Sequence, residues 1–166
     1  MVRKLLLVFG LFFLASFPAQ AQDTAEVFGG YSYMHFHTSL SGNVNGGEIA
    51  GQYKFTDWVG GVADLDGHYG SLGGISTSTY TFLFGPQVSL PSRVSPFGHL
   101  LLGGAHISGP GFGDTSFAMA LGGGIDTRIS HDRFYWRVIQ MDYLITQFGG
   151  HSQNNFRLST GIVVKF

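Results

Sequence analysis

The last thirteen residues constrain the fold more than any other part of the chain. Over residues 154–166, apolar and polar side chains alternate. One face carries Phe156, Leu158, Thr160, Ile162, Val164 and Phe166, and the other carries Arg157, Ser159, Gly161, Val163 and Lys165. A period of two indicates a β-strand, because successive side chains of a strand point to opposite faces. A strand that has lipid on one side and a polar lumen on the other shows this pattern.

The beginning of the chain has the pattern of a secretory signal peptide. Two basic residues precede an apolar run over residues 5–17, and a small-x-small cleavage site ends at Ala21. The apolar run is shorter than the roughly 20 residues that a transmembrane helix needs. We therefore predict a signal peptide over residues 1–21 and one outer-membrane β-barrel domain over residues 22–166.

The composition favours a membrane barrel and argues against several other classes. Charged residues make up only 11% of the chain and aromatic residues 15%, whereas soluble domains carry about 25% charged residues. Beyond Ala21, seven Lys and Arg stand against ten Asp and Glu, without a basic patch, so we expect no nucleic-acid partner. Cysteine is absent, so the exported chain must fold without disulfides. We also expect no cofactor.

Seven further segments are predicted as strands. They cover residues 26–37, 43–55, 58–69, 77–88, 96–107, 115–129 and 133–148. All exceed the ~9–11 residues that a tilted strand needs to cross a bilayer. Together they predict an all-β fold, an eight-stranded antiparallel up-and-down transmembrane β-barrel. The faces of the first strand stay ambiguous, because its apolar residues fall on both sides.

The connections predict which end of the barrel faces which compartment. Short turns near residues 56, 90 and 130 are expected on the periplasmic side, and loops at 38–42, 70–76, 108–114 and 149–153 on the outside. A soluble barrel of the lipocalin type, with its apolar face inside, is the alternative. Its outer face would need more charges than the polar faces of these strands carry, so the sequence favours the membrane barrel.

Residues 27–33, Val-Phe-Gly-Gly-Tyr-Ser-Tyr, the eight strands and Phe166 together resemble the small outer-membrane β-barrel domain family. That family includes the OmpA transmembrane domain and OmpX-like proteins. The resemblance implies location in the bacterial outer membrane and a narrow lumen filled with hydrogen-bonded polar side chains. It also implies a structural, adhesive or weakly pore-forming role. An alternating last strand with a terminal aromatic resembles the signal read by the outer-membrane assembly machinery, which is therefore an expected partner.

The charged residues of the inward faces are the predicted site. We expect a structural polar network formed by Glu48, Lys54, Asp64, Asp66, Asp126, Arg128, Gln140, Asp142 and Arg157, with His68 and Lys165 on the same faces. Buried charges need partners, so these residues are expected to pair. A narrow ion-conducting pore is the alternative. An eight-stranded interior is only wide enough for side chains to fill, which favours a plugged lumen.

Aromatic residues lie mainly near the predicted strand ends. They are Tyr31, Tyr33, Tyr53, Phe55, Trp58, Tyr69, Tyr80, Phe134, Tyr135, Trp136, Tyr143, Phe148 and Phe166. Aromatic girdles at both membrane interfaces explain this distribution. Outer-membrane lipid is accordingly a predicted partner.

Histidines are the weaker candidates for a metal site. The predicted topology places His35, His37, His68 and His106 near the outer rim, together with His151 in the last loop. Converging imidazoles bind Zn²⁺ or Cu²⁺. Their spacing matches no compact metal motif, so we predict no metal site.

The remaining alternative is a lipid A-modifying enzyme. His151 and Ser152 are adjacent, and Asp142 or Asp114 could orient the histidine. Adjacent residues of an extended segment point apart, and no Gly-x-Ser-x-Gly elbow is present. We therefore assign no catalytic residues, and we predict a monomer with a structural or surface-interaction role and no enzymatic activity.

Overall fold

Eight antiparallel strands close into one barrel. The computed structural model describes residues 25–37, 42–72, 75–130, 133–148 and 151–166. The strands are β1 Ala25–His37, β2 Gly42–Lys54, β3 Val59–Leu72, β4 Ile75–Ser89, β5 Val94–Gly109, β6 Phe112–Ser130, β7 Phe134–Phe148 and β8 His151–Lys165. Each strand pairs with its neighbour in sequence, and β1 also pairs with β8. The predicted eight-stranded antiparallel barrel is confirmed.

The start of the chain is not among the described residues. The predicted signal peptide, residues 1–21, lies outside the described residues. In the described part of the chain, no helix has the length and apolar character needed to cross a membrane.

The alternation of β8 separates an apolar outer surface from a polar interior. Arg157 and Lys165 are buried inside the barrel, whereas Phe156, Ile162 and Phe166 are exposed on its outside. The other strands follow the same rule, and large apolar side chains dominate the outer surface. This is the inverse of a water-soluble barrel and the arrangement of one surrounded by lipid.

The structure also decides the faces of β1, which the sequence leaves ambiguous. Glu26, Phe28, Ser32 and Met34 are buried in the interior, and Tyr31 is exposed outside. The residues of β1 pair with both β2 and β8. Closure of the barrel therefore fixes the orientation of a strand whose own pattern does not.

At one end of the barrel, which we call the loop end, the strands extend further than predicted. There β3 ends at Leu72, β4 begins at Ile75, β5 ends at Gly109, β6 begins at Phe112 and β8 begins at His151. Strands β3 and β4 stay paired as far as Leu72 and Ile75, so most of the predicted loop 70–76 is strand. Glycine and serine do not prevent this pairing, because a ladder needs only backbone hydrogen bonds.

Strands β5 and β6 turn through Pro110 and Gly111 alone. Gly111 has φ of 81°, a left-handed conformation that glycine adopts without steric cost. The opposite end, which we call the turn end, carries the connections 55–58 and 90–93, and there β6 ends at Ser130 and β7 begins at Phe134.

A bulge in β7 corrects one predicted face. Arg137 pairs with Gly161 of β8 and Gln140 pairs with Ser159, so β7 has one residue more than its partner over this interval. Val138 and Ile139 are consequently both exposed on the outside. Regular alternation with the inward Gln140 and Asp142 would predict an inward Val138, and that prediction is wrong, because a bulge shifts the alternation by one residue. Because of the same shift, the side chain of Arg137 faces the interior.

Candidate functional site

A single arginine organises the buried charges of the interior. Arg157 on β8 is fully buried and faces four carboxylates. Nη1 and Nη2 donate to the two oxygens of Asp64 at 3.0 Å. Nε and Nη2 donate to Oδ2 of Asp142 at 2.9 and 2.6 Å, and Nη1 also donates to Asp66. Glu48 lies further away, with Oε2 3.8 Å from Nε. We call this group the Arg157 cluster.

Three of the four carboxylates have additional partners. Oε1 of Glu48 accepts a hydrogen bond from Gln140 at 2.9 Å, and Oε2 accepts one from Ser159 at 2.5 Å. Asp142 lies 2.7 Å from Nε2 of His99, and Asp66 lies 3.0 Å from Nδ1 of His68. These contacts distribute the negative charge over hydrogen-bond donors from other strands. A buried ionic cluster is tolerated when hydrogen bonds satisfy its charged groups in this way.

A second arginine forms a separate clamp. Arg137 makes a bidentate ion pair with Asp126, Nε to Oδ1 at 2.8 Å and Nη2 to Oδ2 at 3.0 Å. Its Nη1 donates to Gln140 at 2.7 Å, which links the clamp to the Arg157 cluster. The guanidinium lies between two aromatic rings, 4.3 Å from the centroid of Phe28 and 4.2 Å from that of Phe97. Both ring contacts favour a desolvated cation.

A third group lies toward the turn end. Oε1 of Glu26 is 2.5 Å from Nζ of Lys54 and 3.0 Å from Nζ of Lys165. The Lys165 ammonium also lies 4.0 Å above the ring of Tyr135. Tyr135 is therefore an interior residue, and its predicted place in an interface girdle is wrong because its side chain faces the lumen.

Apolar side chains fill much of the remaining interior. The buried inward-facing set includes Met34, Val44, Leu83, Leu101, Ala105, Ala118 and Leu144. The cavity between Asp64, Arg137 and Gln140 measures about 10 Å³, the space of about one water molecule. The interior is thus a packed mixture of ion pairs and hydrocarbon, more apolar than the predicted polar network.

The structure brings most of the predicted network residues together. Glu48, Asp64, Asp66, Gln140 and Asp142 surround or adjoin Arg157. Asp126 belongs to the Arg137 clamp and Lys54 to the Glu26 group. Arg128 is half-buried in the mouth at the turn end.

Sequence reasoning missed three participants. Arg137 is hidden by the bulge, since simple alternation assigns it to the lipid side. His99 and Glu26 lie on inward positions of β5 and β1. His99 shares the inward face of β5 with Phe97 and Leu101, but the apolar Leu100 and Leu102 on the other face leave no alternation in the sequence that could have found it.

The candidate metal ligands do not converge. His68 is buried inside, and its two ring nitrogens lie 3.0 Å from Asp66 and 3.0 Å from Ser32. Nδ1 of His35 lies 2.7 Å from Asn43, and Nδ1 of His106 lies 2.7 Å from Thr115 on another part of the wall. His37 ends β1, and its side chain lies outside the described set. Among the side chains that are described, no group of three or more His, Asp or Glu could hold a metal ion.

For the enzyme alternative, the structure describes the side chains of Asp142, Asp114 and Ser152, whereas that of His151 lies outside the described set. Asp142 is buried and engaged by Arg157 and His99. Asp114 is exposed and accepts a hydrogen bond from the backbone of Thr115 at 2.9 Å. Ser152 is exposed at the start of β8. The described geometry therefore gives no support to a catalytic serine.

Comparison with solved structures identifies the fold. Neisserial surface protein A has a TM-score of 0.70 at 16% identity, over 89% of this chain and 100% of that one. The N-terminal β-barrel domain of Pseudomonas aeruginosa OprF gives 0.57 at 13%, over 89% and 100%. Ail, the attachment invasion locus protein of Yersinia pestis, gives 0.54 at 17%, over 86% and 99%.

No family model and no curated protein sequence matches the chain. At 13–17% identity, the structural likeness concerns the fold. Strand number, closure, lipid-type outer surface and charged interior agree with that likeness. The chain therefore has the fold of the small eight-stranded outer-membrane β-barrels, the group that contains the OmpA transmembrane domain and OmpX-like proteins.

Proposed function

We propose that this chain is a monomeric, non-conducting barrel of the bacterial outer membrane with a structural or surface-interaction role. Its partners in the membrane are the surrounding lipids. Its lumen is closed by paired charges, and it performs no chemistry of its own.

The Arg157 cluster is the observation that carries this proposal. Carboxylates from β2, β3 and β7 meet the guanidinium of β8 in the interior. An ion would have to displace these groups to pass, because an eight-stranded barrel has no room beside them. Moving a buried charge away from its partners is costly. The same contacts tie four strands together, which suits a structural role.

The apolar exterior supports the membrane location. Phe82, Leu121 and Ile162 are exposed on three different strands, and together such apolar surface would be unfavourable in water. An even number of strands places both ends of the barrel domain on one side, and bacterial barrels keep them in the periplasm. The turn end then faces the periplasm and the loop end the exterior. Strand β8 would present its outer face to the assembly machinery.

Single-channel recording tests the closed lumen. We expect the refolded protein to give no regular, ion-selective steps in planar bilayers. A triple variant, Asp64→Ser with Asp142→Ser and Arg157→Ser, removes the guanidinium and two of its carboxylates and leaves Glu48 and Asp66 beside a wider, hydrated space. It serves as the positive control, with small steps expected. Regular selective steps from the unmodified protein would overturn the proposal.

Lipid A mass spectrometry tests the absence of chemistry. Expression of the protein is expected to leave the acyl pattern of lipid A unchanged, because Asp142 is held inside the barrel and is not available to a histidine at the rim. A Ser152→Ala variant is the matched control. A changed acyl pattern that disappears in this variant would establish the lipid-modifying alternative.

A further inference from the structure

A continuous chain of hydrogen bonds crosses the interior from β3 to β2. Nδ1 of His68 lies 3.0 Å from Asp66, and Nε2 lies 3.0 Å from the hydroxyl of Ser32. The hydroxyl of Ser32 lies 3.0 Å from that of Ser159, which in turn lies 2.5 Å from Oε2 of Glu48. All five side chains are buried. We call this chain the Ser32 relay.

The ordinary ionisation states of these groups supply too few hydrogens for the relay. Its four contacts need one hydrogen each. The two ionised carboxylates supply none, a neutral histidine supplies one, and each of the two serine hydroxyls supplies one. One contact would then lack a hydrogen and would place two buried lone pairs against each other, which carries the penalty of an unsatisfied buried group. A single additional proton fills the fourth contact.

The charge around the relay favours the same proton. Asp66 and Glu48 belong to the Arg157 cluster, in which four carboxylates face one guanidinium. With neutral imidazoles, three negative charges of the cluster are not compensated, and a buried net charge is costly. Among the described residues, the charged and titratable groups around the relay are Asp64 of β3, Arg157 of β8, Asp142 of β7, His99 of β5 and, through Gln140, the Asp126–Arg137 pair.

We infer that the folded barrel holds one proton in the Ser32 relay that the unfolded chain releases at neutral pH, and that the stability of the barrel therefore depends on pH. The proton has two positions. In one, His68 is an imidazolium that donates to both Asp66 and Ser32, and the hydroxyl hydrogens point toward Glu48. In the other, Glu48 is a carboxylic acid that donates to Ser159, and the hydroxyl hydrogens point toward His68. Transfer of one hydrogen across each of three contacts interconverts the two states.

The direction of the pH dependence follows from the unfolded chain. Free histidine and glutamate side chains have pKa values of about 6.5 and 4.3, so an unfolded chain has mostly released this proton above about pH 7. Because only the folded barrel keeps the proton, a rise in pH favours the unfolded state. A difference of one bound proton changes the folding equilibrium constant by about tenfold per pH unit. The relay therefore makes the barrel more stable in mildly acidic than in mildly alkaline surroundings.

Urea unfolding at pH 7 and at pH 8 tests the inference. Between these two values, the folding equilibrium constant of the protein in phosphatidylcholine vesicles is expected to fall about tenfold more than that of a Ser32→Ala variant. This substitution removes two contacts, and Ser159 and His68 then supply the two hydrogens that the remaining contacts need. Ionisation of His99 and of the exposed histidines is common to both proteins and cancels in the comparison.

Ser95→Ala is the matched control. Ser95 is also a buried serine, and its hydroxyl donates to the carbonyl of Leu90 at 2.6 Å, outside the relay. This variant should keep the full pH dependence of the unmodified protein. An equal pH dependence in Ser32→Ala and the unmodified protein would overturn the inference.

Side-chain NMR of the unmodified protein gives a second test, which does not require Ser32→Ala to fold. Between pH 7 and pH 8, the nitrogen-15 shifts of His68 and the carbon-13 shift of the Glu48 carboxyl are expected to show an imidazolium, a protonated carboxyl or an average of the two states. A neutral His68 together with an ionised Glu48 would refute the bound proton.

Discussion

At the scale of single residues, Arg157 has the largest expected effect on stability. Among the ion pairs of the described residues, it is the one arginine or lysine within 4 Å of Glu48, Asp64 and Asp142. Removing one partner of a buried ion pair leaves uncompensated charge, which costs far more than the pair itself contributes. The four carboxylates would then repel one another without screening by water.

An Arg157→Met substitution is therefore expected to lower the free energy of unfolding by about 3–5 kcal/mol. Urea unfolding in detergent or lipid, followed by tryptophan fluorescence, measures this loss. The matched control is Arg133→Gln on the exposed turn, which should change stability by no more than about 0.5 kcal/mol. Adding Asp64→Asn and Asp142→Asn to Arg157→Met should restore part of the lost free energy of unfolding. Equal stability of Arg157→Met and the unmodified protein would refute the structural role of the cluster.

A glycine at a point where two strands approach closely is the second residue with a predicted effect on stability. A Cβ at Gly46 would lie 1.9 Å from the carbonyl oxygen of Gly67 and 2.8 Å from the Cα of His68, both on the neighbouring strand. Backbone atoms cannot move aside as a flexible side chain does, so β2 and β3 approach closely only because position 46 lacks a side chain. A Cβ at Gly51, on the same strand, would meet nothing within 4 Å.

Gly46→Ala is accordingly expected to destabilise the barrel by about 1–3 kcal/mol, the usual cost of overpacking. Gly51→Ala, the control, should be neutral or stabilising by up to about 1 kcal/mol, because it restricts the unfolded chain. The same unfolding titration compares them. A smaller loss for Gly46→Ala than for Gly51→Ala would contradict the close approach.

At the scale of the strand, the bulge of β7 decides which side chain faces the lumen. The extra residue lets Val138 and Ile139 both face lipid while Arg137 and Gln140 both face inward. Regular alternation would send Arg137 outward. The bulge therefore supplies the clamp on Asp126 and keeps a guanidinium out of the hydrocarbon.

Deleting Val138 removes the extra residue and leaves Arg137, Ile139 and Gln140 in regular alternation, inward, outward and inward. The clamp on Asp126 is therefore kept, and we expect the free energy of unfolding to fall by no more than about 1 kcal/mol. Val138→Ala, which keeps the bulge, should cost a similar amount. Folding yield and unfolding free energy in lipid vesicles provide the readout. A much larger loss for the deletion than for Val138→Ala would show that the bulge itself, and not only the inward orientation of Arg137, is required.

At the scale of the whole molecule, the distribution of polarity determines the solvent that the fold needs. The buried ion pairs lie inside, and every strand carries large apolar side chains on the outside. Closure leaves no unpaired strand edge, since β1 and β8 pair over twelve positions. Such a closed ladder persists in detergent, because water and detergent cannot reach its backbone hydrogen bonds from an open edge.

We expect the chain to fold in micelles or bilayers and to migrate differently on SDS gels before and after boiling. An Arg157→Met variant should lose the unboiled band at a lower temperature than the unmodified protein, which ties the gel shift to the folded barrel. Membrane fractionation gives an independent check of location. A stable monomer in plain buffer, with its apolar side chains hidden, would contradict the orientation of the fold.

The sequence alone determined the class of the fold and most of the faces. Alternation is a local property, so Phe156 and Arg157 can be assigned to opposite sides without knowledge of any other strand. The eight alternating segments and their low charge were sufficient to predict the barrel and most of the inward charges, including Asp64, Asp126 and Asp142.

The tertiary structure alone decided which groups meet across the lumen. Arg157 contacts Asp64 from a position 93 residues away, and no local pattern encodes a contact that depends on barrel closure and stagger. The faces of β1 and the bulge that turns Arg137 inward were decided in the same way, by pairing with two neighbours at once. The length of the strands at the loop end also depended on the partner strands, because a backbone ladder continues wherever a paired neighbour continues.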